Sequence, residues 1–280
     1  MGSRTAPVVF DETHHQLSTR TVSALRELVQ YSHLIPSFAA RDIRVRYTQT
    51  ILGVAWAILQ PFSLMLVFTL VFGALSPVPT HGIPYPIFAY STLVFWTFFS
   101  TATMQGTLAI MANAALVRKV FFPREVLLLA VLLSTGFDLT VACLFLLALL
   151  AYYQIALTWT ALWIFPLLVT EVLFTLALVL ITATLHVRFR DIAHALPLAL
   201  QVWMFLTPVA YPLDVVPAGW RGLYLLNPLA PIVEGYRHVL LRKTPPDLHA
   251  LGVALVVSLV LLSLSYVVFK RAERTFADIL

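Results

Sequence analysis

The chain has 280 residues, of which 60% are hydrophobic and 11% charged. A water-soluble domain carries about 25% charged residues, so a surface this poor in charge excludes a soluble globular protein and predicts an all-α protein embedded in a membrane. The formal charge of +5 gives no argument for nucleic acid, because a basic balance in a membrane protein reflects its cytoplasmic loops. Cys143 is the only cysteine, which excludes an intramolecular disulfide and a cysteine metal cluster.

Residues 1–33 are polar and mixed in charge, without the apolar stretch of a cleavable leader; they read as a cytoplasmic tail before one transmembrane domain, 34–280. Residues 36–48 hold Arg41, Arg44 and Arg46 directly before a long apolar run. Each arginine at a bilayer centre costs about 2.5–3.5 kcal/mol, so this stretch is expected as an interfacial helix, opened by Pro36. Asp42 stands four residues before Arg46 and can pair with it on one helix face. The arginines fall on several faces, which suits a helix wet on one side and turned to protein or headgroups elsewhere.

A span needs about 20 apolar residues. Six segments qualify or nearly so: 52–74, 86–112, 126–151, 161–186, 192–211 and 249–269. Pro197 and Pro208 interrupt the fifth. Six transmembrane helices are therefore predicted. On this segmentation one side carries 14 of the 18 lysines and arginines, and Arg221, Arg237, Arg242 and Lys243 lie on the other. The positive-inside rule then makes both termini cytoplasmic. The outer segment 212–248 is too apolar for a plain loop and too short on either side of Asn227-Pro228 to span. Two short helices broken there would form a re-entrant or interfacial hairpin, tolerated at membrane depth only against protein or a wet cavity. Within it Glu234 and Arg237 stand three apart and can pair.

Four motifs occur in order: Arg-Asp-Ile-Arg-Val-Arg-Tyr (41–47) running into Leu52-Gly53, Trp56 and Gln60-Pro61; Asn113 through Phe121-Phe122-Pro123-Arg124-Glu125; Arg188-Phe-Arg190-Asp191; and Asn227-Pro228 through Glu234-Gly-Tyr-Arg237. Over residues 30–280 the chain resembles the membrane subunits of type-2 ABC exporters of polysaccharide, those for O-antigen and teichoic acid. The resemblance implies a homodimer paired with two copies of a separate ATP-binding subunit, which would carry ATP and Mg. It also implies a lipid-linked glycan moved outward across a bacterial inner membrane. The residues agree on one point: none of the ten glycines sits in a Gly-x-x-x-x-Gly-Lys-Ser/Thr loop, so this chain is not expected to bind nucleotide or any other cofactor, or to act as an enzyme.

On that reading the ATPase docks on Asn113, Leu116, Arg118, Lys119, Phe121, Phe122, Pro123 and Arg124, where cations surround an exposed aromatic pair. Arg41, Arg44, Arg46, Tyr47 and Gly53 mark the inner interface, and the arginines suit the phosphates of a lipid pyrophosphate. Sugar rings stack on aromatics, so Trp56, Tyr90, Trp96, Phe98, Trp203, Phe205 and Tyr211 are candidates for the glycan path. Trp220, Asn227, Pro228, Glu234 and Arg237 would form the outer gate, with a structural salt bridge as the plainer role of the last two.

Two intramembrane acids, Asp138 and Glu171, support a rival reading, a proton-coupled secondary transporter, because carboxylates at such depth can relay protons. Against it stand the absence of an inverted repeat and of any basic partner within the spans. A membrane-embedded enzyme finds less support: the eight histidines are scattered and show no metal-ligand spacing.

Overall fold

The structure, a computed structural model, describes residues 27–217, 219, 222, 224 and 227–279. Most of the N-terminal tail, Trp220 and much of the first half of the anticipated outer hairpin lie outside these residues. The described residues are helical, with no strand.

Helix α1 (Leu34–Tyr47) forms where the interfacial helix was anticipated; only Ala39 on it is buried. Gly53, at φ +52°, turns the chain, a backbone region in which any Cβ is strained. One 3₁₀ turn, Gly53–Ala55, then leads into α2 (Trp56–Phe68). Wider π turns, Thr69–Leu75, extend it. Helix α3 (Tyr85–Ala112) carries a proline in its first turn, where a missing N–H costs nothing. A short α4 (Ala114–Lys119) precedes α5 (Glu125–Tyr152). Helix α6 (Ile164–Arg188) follows a 3₁₀ turn at Trp159–Trp163, and α7 (Ile192–Leu206) follows it closely. Helix α8 (Leu229–Arg237) relaxes into a π turn, His238–Arg242, that ends at Lys243, φ +57°. Asp247 starts α9 (Leu248–Ile279), its carboxylate accepting the N–H groups of His249 and Ala250 at 3.0 and 3.2 Å, a standard way to satisfy the first turn.

Among the described residues, five stretches are long and apolar enough to cross a bilayer: Gly53–Leu75, Tyr85–Ala112, Glu125–Tyr152, Trp159–Arg188 and Leu248–Glu273. They correspond to the first four and the last of the anticipated spans. The fifth anticipated span, 192–211, is different. Helix α7 stops at Leu206 after 15 residues, about 22 Å at 1.5 Å per residue, against a hydrocarbon core of about 30 Å. The cause is Pro208. A proline disfavours helical geometry in the residue before it, and Thr207 is extended at φ −105°, ψ 138°.

Helix α3 is the axis of the bundle. It touches α2, α5, α6, α7 and α8, and its side chains Ile87, Phe88, Tyr90, Leu93, Phe95, Phe99 and Ala102 are buried. Burial of this kind is worth about 25 cal/mol per Å² of apolar surface. Helix α9, by contrast, packs chiefly on α6 and exposes Val256, Val260, Leu264 and Val268. Their spacing of four puts them on one face, the apolar outer wall that a membrane protein presents to lipid.

The bundle has two chemically distinct ends. One gathers α1, the 113–124 segment, the end of α6 and the end of α9; Phe38 meets Phe122 there with centroids 6.0 Å apart. The other gathers the start of α3, the end of α7 and α8; Tyr85 donates to the Ala210 carbonyl at 2.7 Å and Thr92 to that of Val209 at 2.8 Å.

Candidate functional site

At the first end, α1 is fixed to the bundle by Arg46. Its guanidinium pairs with Asp138 on α5 and hydrogen-bonds the Gln105 side-chain oxygen on α3. Tyr47 donates to the other Asp138 oxygen at 2.7 Å. The Tyr47 phenol is pushed up to about 12, first by burial and then by that hydrogen bond and the nearby carboxylate. One expectation is corrected here: Asp42 pairs with its neighbour Arg41 at 2.8 Å, not with Arg46. Asp138 has its basic partner from α1, outside the long apolar helices.

The same residues floor a cleft between α1, α2, α3 and α5. It holds about 150 Å³ and is lined by Trp56 and Gln60 of α2, Phe98 and Gln105 of α3, and Asp138, among others. The structure thus brings together residues expected in two separate groups: Arg46 and Tyr47 from the interface, Trp56 and Phe98 from the glycan path. Gly53 lies at the turn just before Trp56. Arg44 is exposed, and its side chain makes no hydrogen bond or ion pair among the described residues.

The remaining aromatics do not converge on one path. Tyr90 is fully buried, its hydroxyl donating to the Ala142 carbonyl at 3.3 Å and its ring set edge-on to Phe145. Trp96 is buried against Phe99. Trp203 sits edge-on to Phe99 and Phe174, and Phe205 is half exposed beside Phe68. The physical reason is the surrounding of α3 by five helices, which turns most of its rings into packing.

The segment after α3 also differs from expectation in one respect. Asn113 ends α3 and starts α4: its amide donates to the Ala109 carbonyl at 2.8 Å, and its own carbonyl receives the Leu116 and Val117 N–H groups. Arg118 and Lys119 are exposed, Leu116 is partly buried and Pro123 is buried. The aromatic pair, however, is split. Phe121 is 70% exposed, whereas Phe122 is 2% exposed beneath α1 with Val117, Val126 and Leu127. Consecutive residues in extended backbone point opposite ways, so one ring enters the core as the other leaves it. Arg124 is tied down as well. Its backbone N–H donates to Glu273 at 3.1 Å, its guanidinium lies 3.6 Å from the same carboxylate, and it covers Phe121 at 5.6 Å. Lys270 joins Glu125 at 2.6 Å and Glu273 at 2.8 Å, a cluster the sequence reading missed.

At the other end, Arg237 is 1% exposed. It donates to Glu234 and to the Tyr211 carbonyl, both at 3.0 Å, and to the Val209 carbonyl. It also lies 4.2 Å from the centroid of Phe88. The anticipated Glu234–Arg237 pair therefore forms, and it clamps α8 to the chain leaving α7. Burial would raise the Glu234 carboxyl, but the His238 hydrogen bond and the charges of Arg237 and Arg242 outweigh it and hold it at about 2. Asn227 completes the clamp. Its side-chain oxygen accepts from Trp203 at 3.2 Å and from the Leu229 N–H at 3.1 Å, and its amide donates to Thr207 at 2.8 Å. Pro228 then opens α8. Tyr211 bonds Tyr224 at 2.7 Å. Glu171 of α6, buried, accepts from Tyr236 of α8 at 2.7 Å, and Gly235 lets α8 approach so closely that a Cβ would meet Leu167 at 2.6 Å.

The family model for ABC-2 type transporters matches residues 34–241 of this membrane bundle. The chain belongs to that family. It is 34% identical over 261 residues to the O-antigen export system permease protein RfbA of Myxococcus xanthus, covering 92% of this chain and 99% of that one. The permease of the same name from Klebsiella pneumoniae is 24% identical over 86% of this chain and 92% of its own. The polysialic acid transport protein KpsM of Escherichia coli is 24% identical over 83% and 91%. The ABC-2 permease is thus a membrane transporter component with several apolar helices, and its relatives span nearly its whole length.

Proposed function

We propose that this permease moves a lipid-linked polysaccharide of the O-antigen type from the cytoplasmic to the outer side of a bacterial inner membrane. The observation that carries the reading is the relationship to the Myxococcus O-antigen permease along 92% of the chain. In this proposal two copies of the chain pair with two copies of a separate ATP-binding subunit, which carries ATP and Mg and drives export. The exposed Phe121, Arg118 and Lys119 form the docking ridge for that subunit, with Phe122 anchoring the segment to α1. Both termini are cytoplasmic and α7 serves as a short sixth pass, its outer end completed by α8 packed between the outer halves of α3 and α6. Arg44, exposed and without an ion pair among the described residues, is the interfacial cation that meets a lipid phosphate.

The KpsM relatives favour a second cargo by the same mechanism, a capsular glycan. The rival proton-coupled mechanism loses support from the pairing of its two acids: Asp138 is held by Arg46 and Tyr47, and Glu171 by Tyr236. Deleting the gene in its host and assaying surface and cytoplasmic glycan side by side tests the proposal. Loss of one surface polymer with lipid-linked polymer accumulating inside is the expected result. Unchanged surface glycan, in a host without a redundant exporter, would reject it.

A further inference from the structure

The cleft beside α1 has more unused hydrogen-bonding capacity than helix packing requires. Thr97, Thr101 and Gln105 recur every four residues on α3, so they share one face of an otherwise buried helix. Across the cleft, Trp56 and Gln60 stand four apart on α2 and share a face in the same way; all five line one space. The Thr97 hydroxyl is buried and has no hydrogen-bond partner. The Thr101 hydroxyl and the Gln60 amide likewise make no hydrogen bond among the described residues, although most other threonines within the spans bond a carbonyl of their own helix, as Thr103 and Thr107 do at 2.7 Å. Gln105 gives its oxygen to Arg46, and its amide nitrogen makes no hydrogen bond among the described residues. Of these groups the Thr97 hydroxyl is buried, Thr101 and Gln105 are partly buried and Gln60 is exposed. A buried polar group left without a partner costs about 1–3 kcal/mol, so Thr97, continued on the same face by Thr101 and Gln105, marks a place where something polar is meant to bind.

The electrostatics select the class of ligand. Arg46 is the cleft's cation, and Asp138 already neutralises it while Tyr47 takes the second carboxylate oxygen. A phosphate would have to displace Asp138 to gain a guanidinium. What remains is neutral: hydroxyls, carboxamides and the Trp56 indole, 52% exposed. An apolar ring face beside convergent neutral donors and acceptors is the complement of a sugar ring, which has an apolar C–H face and a hydroxyl rim. The cleft holds about 150 Å³, room enough for one ring.

We propose that Trp56, Gln60, Thr97, Thr101 and Gln105 form a subsite for a single neutral sugar ring, with Arg46 and Asp138 as the positioning pair that keeps the subsite neutral and anchors its floor. This deepens the polysaccharide-export reading and rests on it. The test uses the full chain in nanodiscs labelled with 5-fluorotryptophan, the Trp56 fluorine resonance being assigned by its loss in W56F. Methyl glucoside, methyl mannoside, methyl galactoside and inorganic phosphate are titrated separately. The expected result is a saturable shift of the Trp56 resonance with at least one glycoside, weakened at least fivefold in both Q60L and T101V, variants that remove polar groups with little change in volume. A resonance moved by phosphate alone would make the cleft an anion site and overturn the proposal; so would a resonance silent to all four probes. The two readings fail separately. Silent titrations, with Q60L and T101V restoring surface glycan fully to a deletion strain that had lost it, would remove the subsite and leave export standing. A deletion that leaves surface glycan unchanged would remove export itself.

Discussion

Two arginines enter the bundle from opposite ends, and they are held in different ways. Arg237 is paired with Glu234 three residues away on its own helix, is 1% exposed, and donates from its two terminal nitrogens to two backbone carbonyls as well. Arg46 is paired with Asp138, 92 residues away, and both side chains keep about a fifth of their surface. The Arg237 pair is local and sealed; the Arg46 pair is distant and partly wet. A sealed charge cannot lose its partner cheaply, whereas a wet one can be rehydrated. Arg237 therefore works as a fixed clamp on α8, and Arg46 as an anchor for a helix that otherwise lies on the surface of the bundle.

That contrast can be broken most sharply at Arg237. R237A leaves two carbonyls without their donor in a buried site and Glu234 with only His238 and Arg242, and a loss of about 3 kcal/mol, the low end for breaking a buried pair, is expected, read as failure to recover monodisperse protein or as a large drop in thermal midpoint. A variant that stays as stable as the wild type would show that α8 does not depend on the clamp. The next effect belongs to Phe122. F122A empties a buried site beneath α1, with about 3 kcal/mol expected from the low end of Phe→Ala losses, measurable in the same thermal assay and as faster proteolysis within α1.

D138N is expected to cost less, about 1.5–3 kcal/mol, the range for hydrogen bonds to charged groups, because water can reach Arg46. The informative readout is a double-mutant cycle with R46Q: a coupling near zero would mean that α1 is held by Phe38 and Phe122 alone. Acid sharpens the comparison further. The Glu234 carboxyl is held at about 2 against an ordinary 4.5, a depressed value, so its stabilisation is fully present above the ordinary value and is lost as pH falls from there through about 2. Stability measured between pH 5 and 2 is expected to fall less steeply in E234Q than in the wild type; equal slopes would refute the clamp's ionic character. The smallest effect on folding is expected at Phe121. F121A should change stability by no more than about 0.5 kcal/mol while reducing export, measured as surface glycan in a complemented deletion strain.

How far each region could be read in advance follows from the same contrast. Glu234 and Arg237 lie within one helical turn, so their spacing alone brings them together. Arg46 and Asp138 meet only because α1 folds back on α5, and no pattern near either residue records that contact. Trp203 and Tyr90 show the same limit: an aromatic in an apolar helix has the same local signature whether it faces a neighbour, lipid or a path. The Thr97-Thr101-Gln105 stripe was legible, being polar residues at helical spacing in an apolar span, yet only the structure gave it an opposite wall in Trp56 and Gln60.

Composition and hydropathy by themselves determined the membrane class, the positions of five long apolar helices and the basic end, because the cost of charge and backbone polarity in hydrocarbon acts on each segment alone. Tertiary structure decided which of two adjacent phenylalanines is buried, which acid neutralises Arg46, and which polar groups are left facing a shared cleft. Those outcomes depend on the distance between helices that are far apart in the chain, and local sequence does not encode that distance.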